Sequence, residues 1–181
     1  MSPMSQDLRY PVGKFEFPEG ISDDERETML EQIAETPERL RKAVAGLDEV
    51  QLATPYRPGG WTVRQVVHHL PDSHLNSYVR FKLAVTEDEP TIKAYDEARW
   101  ARLDDAQNAP IKGSLELLES LHERWVRFLR SLGPDELART FKHSELGLVT
   151  VAQNIALYAW HGRHHVAHIT SLREREAWIP S

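Results

Sequence analysis

Three tetrads of the form Ser/Thr-x-x-Glu/Gln, beginning at Ser22, Thr62 and Thr150, each stand just ahead of a run in which apolar residues recur every three or four positions. Such a tetrad closes the first turn of a helix reciprocally: the hydroxyl accepts the N–H three residues on, and the acidic or amide side chain accepts the N–H of the capping residue. The chain is therefore predicted to enter helices at these three points. The first run, Asp23 to about Leu47, places Leu30, Ile33, Leu40, Val44 and Leu47 at helical spacing, and Pro37 inside it predicts a kink or a split into two pieces. The second, Val63 to about Val85, carries Val63, Val67, Leu70, Phe81 and Val85, with Pro71 as a second interior proline. The last, Val151 to about Arg175, has the seam Val151, Ile155, Tyr158, Gly162, Ile169 and Leu172. A fourth amphipathic run opens with Ser114 as its expected N-cap, presents Leu117, Leu118, Leu121, Trp125, Phe128, Leu129 and Leu132, and stops at Gly133-Pro134.

Four amphipathic helices joined by loops of unequal length predict an all-α four-helix bundle. The 181 residues suit one domain with a substantial core, so residues 1–181 are read as a single unit. Residues 1–20, with Pro3, Pro11, Pro18 and two glycines, read as an irregular arm lying on that domain. From Glu87 to Gly113 the chain is charged and proline-interrupted, a long crossover loop with one short helix expected around Tyr95 to Leu103. Phe141, His143, Leu146 and Leu148 around Gly147 suggest a small hairpin or extended loop before the last helix.

Composition removes several chemistries. There is no cysteine, which excludes disulfides, thiolate-bound metal and a cysteine nucleophile. The 22 Lys and Arg against 28 Asp and Glu give a net charge of −6, without the basic excess that phosphate-backbone binding needs, so nucleic acid is not expected as a partner. No apolar run approaches the ~18 residues of a membrane span, and Met1 to Asp7 offers neither a basic nor an apolar leader segment. A membrane association is not expected, and the cytoplasm is the expected location.

What stands out is histidine. Of the nine, seven fall in two stretches: His68, His69 and His74 in the second helix, and His161, His164, His165 and His168 in the last. Two histidines at i and i+4 project from one helix face, and neutral imidazole suits zinc or nickel. On a helical wheel His165 lies within about 40° of the apolar seam and His161 within about 80°, whereas His168 is about 100° and His164 about 140° away, towards solvent. Gly162 between the first pair leaves room for a neighbouring helix or a substrate. In the second helix the wheel favours His74 over His69, which sits roughly 130° off the stripe, but Pro71 interrupts the phase and both stay open as a third ligand. Three protein ligands with an open position is the usual form of a catalytic metal site.

The stretch Thr54 to Leu83, TPYRPGGWTVRQVVHHLPDSHLNSYVRFKL, together with Tyr158 to Thr170, YAWHGRHHVAHIT, resembles the YfiT-like branch of the DinB superfamily. The likeness extends to Tyr10-Pro-Val-Gly-Lys14 and Tyr95-Asp-Glu97, and so covers nearly the whole chain. Pro71 departs from the branch pattern, which has a small residue such as Ala there.

This resemblance implies a bundle with one divalent metal, often nickel or zinc, held by three histidines that fall here on His69, His161 and His165. It also implies a homodimer. Members commonly carry the description metal-dependent hydrolase, and some relatives are thiol S-transferases using a small thiol such as bacillithiol. A small-molecule substrate follows from either chemistry, and with no cysteine in the chain any reacting thiol would have to come from a cosubstrate. A non-catalytic, metal-binding dimeric module is the remaining alternative. Asp72, His74, Asn76, Arg80 and His168 are the residues expected around the ligands or the substrate.

Overall fold

A computed structural model describes residues 7–178. Four long helices carry the architecture: α1 (Asp23–Val44), α3 (Val63–Thr86), α6 (Lys112–Arg130) and α8 (Val151–Arg175). Short turns of helix lie between them: α2 (Glu49–Leu52), α4 (Glu97–Trp100), α5 (Asp104–Asn108) and α7 (Pro134–Leu137). α1 packs on α6 and α8, and α3 packs on the same two, so the four close into a bundle. The boxes at Ser22, Thr62 and Thr150 form as expected, each with both reciprocal hydrogen bonds.

Three local expectations change. Pro37 and Pro71 do not split their helices; α1 and α3 run through them. The third long helix begins at Lys112 with Ile111 in the capping position, so Ser114 is not its cap. The Ser114 hydroxyl instead lies 2.7 Å from His68 Nδ1 and ties the first turn of α6 to α3, while His68 Nε2 meets Ala109 O of the crossover at 3.1 Å. Leu117 is 46 % exposed and belongs to the solvent face of α6.

The expected hairpin is present as β2 (Thr140–His143) antiparallel to β3 (Gly147–Thr150), with Phe141 opposite Val149. The crossover adds β1 (Thr91–Ile92), parallel to β2 with Thr91 opposite Lys142, and this small sheet closes one end of the bundle. The crossover also holds two short helices, α4 and α5, where one was expected. Residues 7–20 lie along α8: Trp160 Nε1 donates to Gly13 O at 3.1 Å, and His168 Nε2 meets Arg9 O at 3.2 Å. Among the described residues no helix is long and apolar enough to cross a membrane.

The core falls into two apolar clusters, one around Trp125, Phe81, Phe141 and Ile155, the other around Leu40, Val67, Leu70, Leu118 and Ile169. Along each long helix the change from one cluster to the other occurs at polar residues: Thr36 in α1, Ser73 and His74 in α3, His122 in α6, and His161 to His165 in α8. A polar layer thus crosses the bundle at mid-height. Burying polar groups costs free energy unless they find partners, so the layer must be internally hydrogen-bonded or serve a ligand.

Candidate metal centre

The layer brings His69 of α3 together with His161 and His165 of α8, with one ring nitrogen of each lying within 4.8 Å of the others. His69 Nε2 and His161 Nε2 are 3.3 Å apart. Two nitrogens bound to one tetrahedral ion at 2.0–2.1 Å would be separated by roughly 3.4 Å. Burial pushes all three rings below the ordinary imidazole range, His69 to about 3. They are therefore held neutral, the form in which imidazole donates a lone pair to a metal. The three residues fit a divalent ion by donor type, spacing and protonation state.

Trp61, just before the Thr62 cap, packs its ring 4.8 Å from His69 and parallel to His165 at 6.4 Å. The rings border a cavity of about 240 Å³ that Ser73, Arg80, Tyr95 and His143 also line. Ser73 Oγ stands 3.5 Å from His161 Nε2 and 3.3 Å from the Tyr158 hydroxyl. Larger cavities occur elsewhere, against α1 and the arm, but they contain none of these histidines.

His74, which the wheel preferred, is fully buried behind the triad with both ring nitrogens engaged: Nδ1 with His122 Nε2 at 2.7 Å and Nε2 with His161 Nδ1 at 3.0 Å. His122 Nδ1 in turn meets Ile33 O at 2.7 Å. His164 is only 7 % exposed, contrary to its place on the wheel, because the arm covers that side of α8: its ring stacks on Trp160 and faces Tyr10. His168, also buried, stacks on Tyr56 at 3.9 Å. His164, His165 and His168 form a second group of possible ligands that shares His165 with the first.

Asp72, with its carboxyl raised to about 6 by burial, is not among the residues lining the cavity, and Asn76 turns back to Asp72 O at 2.8 Å. Sequence reasoning missed His122 and Trp61. For His122 a signal existed, since it falls on the same helix face as Leu118, Trp125 and Leu129.

A family model described as the DinB superfamily matches residues 32–169, from within α1 to within α8, which takes in α3 and α6 whole and every histidine of the centre. The chain belongs to the DinB superfamily. Within it, proteins named "Putative metal-dependent hydrolase" from Bacillus cereus and Bacillus anthracis are 56 % and 55 % identical over 172 residues, spanning 95 % of this chain and 99 % of theirs. Among solved structures, YfiT from Bacillus subtilis, described as "a probable metal-dependent hydrolase with an unusual four-helix bundle topology", superposes with a TM-score of 0.93 at 46 % identity, over 95 % of this chain and 99 % of its own. The four-helix bundle protein TT2238, at 18 % identity and a TM-score of 0.56, shares the fold over 84 % of this chain and 98 % of its own.

Proposed function

We propose that this DinB-superfamily chain is a metal-dependent hydrolase of a small-molecule substrate, with one zinc or nickel ion held by His69, His161 and His165. The observation that carries the reading is the convergence of the His69 and His161 Nε2 atoms, 3.3 Å apart, at the wall of the cavity. Relatives more than half identical across nearly the whole chain bear a metal-dependent hydrolase description, which supports it. When bound, such an ion would polarise the substrate and lower the pKa of a coordinated water from ~15.7 towards ~7.

The chain's own residues supply the rest. Three neutral imidazoles from two helices fix the donor positions, and Trp61 packs its ring against two of them. The Ser73 hydroxyl lies within reach of whatever occupies the space beside His161 Nε2 and can hold a proton there. Arg80 brings a permanent positive charge to the same cavity.

Elemental analysis of purified protein should find close to one divalent ion per chain, and His161→Ala or His165→Ala should abolish it. Metal-loaded protein should turn over members of an ester and amide panel that the metal-free protein leaves intact. Full metal content in either variant would overturn the ligand set. Turnover confined to thiol-plus-electrophile pairs would overturn hydrolysis as the reaction.

A further inference from the structure

Pro37 lies in the middle of α1, and proline has no backbone N–H. The Ile33 carbonyl, four residues earlier, therefore lacks the donor that an ordinary helix supplies. His122 Nδ1, reaching across from α6, takes that place at 2.7 Å. A carbonyl oxygen only accepts, so Nδ1 of His122 carries the proton and, in a neutral ring, Nε2 carries none. His74 Nδ1 lies 2.7 Å from that bare nitrogen and must donate to it, which leaves His74 Nε2 bare. His161 Nδ1 lies 3.0 Å from His74 Nε2 and must donate in turn. The series ends on His161 Nε2, which is left with its lone pair free of a proton beside His69 Nε2 and 3.5 Å from the Ser73 hydroxyl.

We propose that His122 and His74 are positioning residues which, anchored on the carbonyl that Pro37 frees, lock His161 as its Nδ1–H tautomer and present its Nε2 lone pair to the metal. This rests on the assignment of His161 as a ligand. His74 and His122 are buried and His161 partly so, and each contact joins one ring nitrogen to one partner, so in neutral rings each has one donor and one acceptor. Reversing the series would aim a bare His122 Nδ1 at the Ile33 oxygen, lone pair against lone pair. The series also ends on a group that cannot take up a proton, so it sets a direction and does not carry protons to solvent. Ligand histidines elsewhere are oriented by a carboxylate or a backbone carbonyl on their second nitrogen. Here a backbone carbonyl does so at a distance, through two further imidazoles.

The test reads tautomers and metal affinity, not turnover. In ¹⁵N-labelled metal-free protein, long-range proton–nitrogen correlations should show His161, His74 and His122 protonated at Nδ1. His122→Phe keeps the ring volume but removes both the donor and the acceptor. It should mix or reverse the His74 and His161 tautomers and weaken zinc binding, measured by competition with a chromophoric chelator, by roughly 10–100-fold. His122→Gln, whose amide can accept from His74 and donate to Ile33, should restore most of the affinity. If wild-type metal-free His161 proves protonated at Nε2, or if a folded His122→Phe keeps wild-type tautomers and zinc affinity, the proposal is overturned. Zinc binding unchanged by His161→Ala would instead overturn the ligand assignment, so the two failures are distinguishable.

Discussion

Gly162 of α8 packs against Thr36 of α1 so closely that a Cβ on the glycine would stand 2.5 Å from Thr36 Oγ1 and 2.9 Å from Thr36 Cγ2. The space between His161 and His165 therefore belongs to a neighbouring helix and not to a substrate. Gly162→Ala gains ~1 kcal/mol in helix propensity but overpacks this contact at a cost of about 1–3 kcal/mol. We expect a net loss, read as a fall of a few degrees in the thermal midpoint, at roughly 2–4 °C per kcal/mol for a chain of this size. Combining it with Thr36→Ala should recover most of the loss; a double variant no more stable than Gly162→Ala alone would place the strain elsewhere.

Low pH should destabilise the metal-free protein. Burial holds His122 and His168 at about 4 and His164 at about 3, against ~6.5 in an unfolded chain. Between these values the unfolded state binds protons that the folded state refuses, so this stability is present above about pH 6.5 and is lost as pH falls towards 4. Asp72, raised to about 6, acts in the opposite sense: its contribution is present below about pH 4 and is lost as pH rises through 6. Three imidazoles outweigh one carboxyl. Urea unfolding should be weaker at pH 5 than at pH 7 by on the order of 2–4 kcal/mol, and equal stability at the two values would contradict the buried, neutral assignment.

His168 should prove to be an anchor for the arm and not a ligand. With Nε2 on Arg9 O and its ring on Tyr56, it pins residues 7–13 against α8. His168→Ala should cost about 1 kcal/mol, in line with the loss of one hydrogen bond. It should speed amide exchange in residues 7–13 and leave the metal content unchanged. Loss of metal in this variant would move the centre to the second histidine group.

Pro37→Ala should raise stability and lower zinc affinity together. Restoring the N–H to Ile33 O removes part of the ~3 kcal/mol burden of a mid-helix proline. It also supplies a second claimant for the carbonyl that His122 uses. Thermal melts and chelator competition on one sample read both effects, and a variant that binds zinc more tightly would contradict the role given to this proline.

The bundle was legible from sequence because its helices announce themselves locally: a hydroxyl three residues ahead of Glu25, Gln65 or Gln153 is a contact within one turn. The pair His161 and His165 was legible for the same reason. Choosing between His69 and His74 was not, because the wheel ranks a residue by depth, and the deepest histidine here stands behind the proposed ligands, with both nitrogens taken by other rings. His164 misled the wheel in the other direction, since what buries it is the arm, more than a hundred residues away in sequence. Pro37 read as a helix breaker. Its missing N–H matters only beside His122, and that neighbour depends on how α1 and α6 pack.

The proposed ligand set places a divalent ion on His69, His161 and His165. Anomalous diffraction from crystals of zinc-loaded protein tests it most directly. One peak per chain is expected within about 2.0–2.1 Å of a ring nitrogen of each of these three residues, with no fourth protein ligand. A peak centred on His164, His165 and His168, or a shell closed by His74, would contradict it.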